Sequence, residues 1–112
     1  MSDSLNLSDH QKLSITYRVE PGCLGPDGGN VADEFCAVAQ QEFKSLDADC
    51  VIWNIVARHD KSLPEMQFHV LGKMLTEAQA SKYLAGFEKD LDELEGHLSD
   101  KLATLIDNFM GH

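Results

Sequence analysis

The segment from Thr76 to Phe109 constrains this chain more than any other stretch, because it reads as one amphipathic helix too long for what precedes it. Thr76, with Gln79 three residues on, has the pattern of a capping box, in which the two side chains satisfy each other's free backbone N–H groups. Leu84, Phe87, Leu91, Leu94 and Leu98 then recur in alternating steps of three and four, an a/d seam. The step from Leu98 to Leu102 is a second four, a stutter ahead of Leu105 and Phe109. About 34 residues at about 1.5 Å each make a rod of roughly 50 Å. A strand of about nine residues spans only roughly 30 Å. Part of the seam would therefore overhang its own sheet. Gly96 leaves two forms open. The helix runs through it at about 1 kcal/mol relative to alanine, or Gly96 ends one helix and a second begins near Leu98. Either way Leu98, Leu102, Leu105, Ile106 and Phe109 need cover, from the chain's own core or from a second subunit.

Upstream the periodicity changes. Residues 12–20 alternate, with Leu13, Ile15, Tyr17 and Val19 on one face and Ser14, Thr16, Arg18 and Glu20 on the other, a half-buried strand ended by Pro21. Residues 22–30 form a loop dense in turn residues, and Asn30 is the expected N-cap of a helix over residues 31–46. Its stripe is Ala32, Phe35, Cys36, Ala39, Phe43 and Leu46. Residues 50–59 and 65–75 read as the two strands of a hairpin turned by residues 60–64. In the favoured register Trp53 covers Gly72. The order β-α-β-β-α predicts an α+β two-layer sandwich: a three-stranded mixed sheet, order 1-3-2, with two helices on one face. This resembles a ferredoxin-like split β-α-β lacking its last strand, a topology that many unrelated functions share. In that order the first strand lies at a free edge, which together with the seam predicts a homodimer.

At 112 residues the chain is read as a single domain, with residues 1–11 a polar, loosely ordered lead-in and residues 76–110 the long helix. The formal charge of −10 works against phosphate backbones and anionic membranes, so neither nucleic acid nor membrane is an expected partner. No apolar run is long enough to span a bilayer, and the first residues lack the layout of a signal peptide. The three cysteines are odd in number and no two are closely spaced, which suits reduced thiols in a cytoplasm. No cofactor is called for by any motif.

Candidate sites are few. The glycine-rich loop leads into a helix N-terminus, where anions bind. Cys23, Gly25, Gly28, Gly29 and Asn30 would form it, though the spacing matches neither a P-loop nor a dinucleotide fingerprint. Cys23 there would be reactive if exposed and partnered by a base. The outer sheet face gathers Arg18, Arg58, His69 and Lys73 among Ile52, Val56 and Leu71, a basic and apolar surface that could receive a ligand or subunit. Asp90, Glu93, His97 and Asp100 share a helix side and read as a solvated charged face rather than a metal site. Protease and esterase motifs are absent. The sequence therefore favours a small acidic, non-enzymatic, self-associating binding or adaptor domain. Its alternative is a small-ligand sensor or enzyme with a site around Cys23.

Overall fold

The computed structural model describes residues 11–111, so the lead-in expected over residues 1–11 lies, Gln11 apart, outside the described residues. The elements run β1 (Leu13–Val19), a 3-10 turn (Pro21–Leu24), α1 (Gly28–Phe43), β2 (Val51–Ala57), β3 (Met66–Val70), β4 (Lys73–Leu75), α2 (Glu77–Ala85) and α3 (Leu91–Met110). The fold is α+β with a mixed sheet, as the alternation of periods predicts. Among the described residues no helix is long and apolar enough to cross a membrane.

The sheet has four strands in the order β2-β1-β3-β4, which corrects the expected three strands in the order 1-3-2 and departs from the ferredoxin-like order. β1 pairs in parallel with β2 and antiparallel with β3. It is a central strand and has no free edge. Leu13 and Ile15 are at most 1% exposed, the burial expected of a strand flanked on both sides. The predicted hairpin between residues 50–59 and 65–75 does not form, because the chain passes over the end of β1 before entering β3. Trp53 stands opposite Ile15 rather than Gly72. Its ring meets Phe43 edge-on at 5.6 Å and its Nε1 donates to the Leu46 carbonyl at 2.9 Å.

The stretch expected to be one strand, residues 65–75, folds back on itself. Leu71 (φ 54°) and Gly72 (φ 77°) make a two-residue turn with both residues left-handed, the geometry that suits the twist of a hairpin. Leucine is an unusual residue there, at roughly 1–2 kcal/mol of steric cost, and that is why its residue type gave no turn signal. Its side chain is 70% exposed.

α1 begins at Gly28, with Asp27 before it, so Asn30 lies inside the first turn instead of capping it. A Cβ at Gly28 would fall 1.7 Å from the Pro21 carbonyl oxygen. Only glycine lets the helix start that close to the 3-10 turn. The stripe Ala32, Phe35, Cys36, Ala39 and Phe43 is buried as expected, while Leu46 lies past the helix end and is half-buried.

The long C-terminal helix is two helices, and the break is at residues 86–90 rather than Gly96, which lies inside α3. Glu88 turns left-handed (φ 61°), the Lys89 N–H reaches back to the Leu84 carbonyl, and Asp90 caps α3 by accepting from the Asp92 N–H at 3.1 Å. The capping box at Thr76 and Gln79 forms as read. The redirected α3 has a length of about 30 Å, against roughly 50 Å for the unbroken rod. Leu91, Leu94, Leu98 and Leu102 are buried in the chain's own core, with Leu105, Ile106, Phe109 and Met110 packed against it. Phe109 meets Phe35 at 5.3 Å. The seam is therefore covered in cis.

β2 is an edge strand, yet its edge is closed by a side chain. The Gln40 amide of α1 donates to the Trp53 carbonyl and accepts from the Ile55 N–H, both at 2.8 Å. It stands where the backbone of another strand would pair. The Val51 N–H is satisfied separately by the Asp47 carbonyl at 2.9 Å. Replacing Gln40 with Ala should cost about 1–3 kcal/mol, the loss for buried backbone groups left without partners. Urea unfolding measures it. A loss near zero would mean that the amide does not close the edge.

Candidate functional site

Among the described residues the opposite edge of the sheet is open. β4 pairs only with Phe68, His69 and Val70, then ends at Leu75, where the Thr76 capping box turns the chain into α2. β3 continues past that end through Gln67 and Met66. The Arg18 N–H donates to the Glu65 carbonyl at 2.8 Å, so Glu65 turns its backbone toward β1. Successive residues of an antiparallel strand alternate in this, so Met66 turns its N–H and C=O away from β1, toward the open side.

A cleft of about 370 Å³ occupies this notch. Its apolar lining is Pro64, Met66, Phe68, Met74 and Leu75. Gln67, Thr76 and Glu77 supply the polar rim. Met74 is 59% exposed, and the Gln67 amide lies 3.8 Å from its sulfur. Methionine walls adapt their shape to what enters. Behind the rim, burial raises the carboxyl pKa of Glu95 in α3, and the charges of Glu77 and Asp92 raise it further. Beside the cleft, Tyr17 stands opposite Met66 and its hydroxyl donates to Glu65 at 3.5 Å. Burial first, then Glu65 and Cys23, push the Tyr17 hydroxyl up to about 12.

The residues expected on the outer face do not form one basic surface. Arg18 donates to the Pro64 carbonyl at 2.8 Å. Arg58 binds the Glu20 carboxylate at 3.3 Å and the Leu63 carbonyl at 3.2 Å, while its Nε is buried without a partner among the described residues. Both guanidinium groups thus hold the loop 58–65 that carries Pro64 to the cleft wall. Lys61 also pairs with Glu20, and these contacts, the Lys61 hydrogen bond foremost, hold the Glu20 carboxyl below its ordinary range. His69 is on the outer face opposite Ser14 and Met74. Lys73 pairs with Val70 and so leaves that face, contrary to expectation. The turn at residues 71–72 exchanges the faces of Lys73 and Met74.

In the glycine-rich loop, Cys23 is exposed on the 3-10 turn. Gly25 is left-handed (φ 89°) and lies against Met110 of α3. Two N–H groups at the start of α1 already have partners: Gly28 donates to Gly25 and Asn30 to Asp27, each at 2.9 Å. Gly29 is exposed beside them. The loop thus gathers Cys23, Gly25, Gly28, Gly29 and Asn30 in one place, but its contacts are those of a packed helix entry. Cys36 and Cys50 are buried, and burial is the main cause that raises both thiols to about 11.

One pairing joins residues far apart in sequence. His97 Nδ1 lies 2.9 Å from Asp47 Oδ2, and Asp47 is left-handed (φ 50°) in the turn before β2. Among the described residues no cluster of three ligating side chains could hold a metal ion. Comparison with family models, curated proteins and solved structures finds no match to this chain.

Two outcomes follow from these positions. In native protein iodoacetamide should modify Cys23 alone, with Cys36 and Cys50 reacting only after unfolding; peptide mass mapping reads this. The hydrogen bond that His97 donates to Asp47, foremost, and the charge of Asp47 raise the pKa of His97 above 6.5. The stabilisation is fully present below about pH 6.5 and is lost as pH rises through the higher folded value. The melting temperature of His97→Gln should therefore fall below that of the parent chain at about pH 6 and approach it at about pH 9. An equal gap at both values would rule out the pair as its source.

Proposed function

We propose that this chain is a non-enzymatic binding domain that holds its partner in the cleft at the open end of β3 and β4. The observation that supports this best is the coincidence of three features in one notch: a methionine-lined apolar wall, a backbone edge that β4 does not reach, and a polar rim that carries the Glu77 carboxylate. Concave apolar sites with a few polar groups are the usual places for ligands. The side chains a catalytic reading would use have other work. His59 pairs with Asp33 at 2.9 Å and His97 with Asp47, while Arg18 and Arg58 hold the loop.

The expected homodimer rests on an uncovered seam and a free edge of β1. The seam packs in cis and β1 is flanked on both sides. The proposed partner is therefore a different molecule, and light scattering at micromolar concentration should return the 12.4 kDa mass of one chain. A second reading, a small-ligand site at the loop of Cys23, draws on the exposure of that thiol.

Selection from a random peptide library on the immobilised chain tests the cleft. Enriched peptides should bind Met74→Glu about tenfold more weakly or worse, and Cys23→Ser unchanged. Met74 is exposed, so its replacement leaves the core intact. Equal binding to Met74→Glu and weaker binding to Cys23→Ser would favour the second reading. No enrichment at all would overturn the first.

A further inference from the structure

Resting on that reading of the cleft, we propose that its occupant is an extended peptide segment that continues the line of β4 along β3, with an apolar side chain in the cleft and a Lys or Arg beside Glu77. The register of β4 fixes the geometry. Phe68 pairs with Leu75, so a longer β4 would have placed its next two residues opposite Gln67 and Met66. The capping box at Thr76 draws the chain away at that point. What remains there is the cleft, beside a backbone N–H and C=O of Met66 that face away from β1. A segment running antiparallel to β3 can pair with both groups, the mode in which extended peptides add to a sheet edge.

Side-chain chemistry agrees with an alternating segment. A residue paired with Met66 places its side chain on the Met66 and Leu75 side of the sheet, and its neighbours face Gln67 and Met74. The charge of the partner follows from the rim. Glu77 lies at the mouth, and behind it burial first, then the charges of Glu77 and Asp92, raise the pKa of the Glu95 carboxyl. A cation from the partner relieves that repulsion, whereas an anionic segment adds to it on a chain of net charge −10. The other edge of the sheet cannot compete in this way, because the Gln40 amide already pairs with Trp53 and Ile55 of β2.

The test titrates the capped pentapeptide Lys-Val-Leu-Val-Lys into the full isotope-labelled chain and follows its amide resonances. Shifts should centre on Met66, Gln67, Met74 and Leu75, and exchange of the Met66 amide should slow. Two backbone-methylated peptides, one methylated at the third residue and one at the second and fourth, separate strand pairing from simple apolar contact. One of them should bind about tenfold more weakly and the other should not, since alternate residues pair with the edge. A peptide with Glu in place of both Lys should bind more weakly, and Glu77→Gln should narrow that difference. Equal binding of both methylated peptides at the cleft overturns strand addition and leaves the cleft reading standing. Equal binding of the Lys and Glu peptides overturns the cationic partner. Shifts centred on β2 overturn both readings. Binding by none of these peptides up to about 1 mM overturns strand addition, while the library selection decides the cleft reading separately.

Discussion

Everything in this molecule is arranged around the burial of β1. Leu13 and Ile15 are at most 1% exposed; Leu13 pairs with Val51 of β2, and Ile15 stands between Trp53 of β2 and Phe68 of β3. That position requires β2 and β3 to lie on opposite sides of β1, so the connection between them must cross its end. The crossing loop is held by the two arginines at the strand ends, through carbonyls of residues 61–64. A buried Arg58 Nε without a partner among the described residues works against this arrangement, and the guanidinium's contacts to Glu20 and the loop offset it. Residues that read as a basic binding surface are thus the fasteners of the loop that shapes the cleft.

Once β1 is central, the sheet has two edges, and the chain treats them differently. Exposed edges invite pairing with other chains unless they are blocked. At β2 the block is Gln40, whose amide carries one donor and one acceptor at the separation that the Trp53 carbonyl and Ile55 N–H require. At the other edge β4 is a strand of three residues. It covers part of β3 and leaves Met66 beyond its reach. The break at the Thr76 cap therefore has two consequences: it starts α2, and it leaves the notch open.

The C-terminal helices answer a problem of length. A rod of roughly 50 Å has no surface of that extent to lie on in a sheet of these strands. Turning the chain at Glu88 lets α3 lay its apolar side on the core and bring Phe109 to Phe35 and Met110 to Gly25. The end of the chain thereby supports the loop before α1, and Asp47 and His97 join the other end of α3 to the turn before β2.

Local pattern determined much of this fold. The alternation of residues 13–19, the stripe from Ala32 to Phe43, the cap at Thr76 and the α+β class were all legible, because each depends on periodicity or on neighbours within a few residues. The apolar spacing of α3 was legible for the same reason, but not what covers it. Strand order, the place of the helix break and the hairpin at Leu71 were decided by tertiary structure. Leu71 carries no turn signal, and Glu88 is an ordinary helix residue until the core demands that the chain turn there. The residues around Cys23 lie together because they are contiguous in the sequence. The cleft was hidden, because its walls come from three elements whose pairing depends on β1 being central. Side-chain chemistry along a chain is local, but which backbone groups remain unpaired is known only when the strands have found their neighbours.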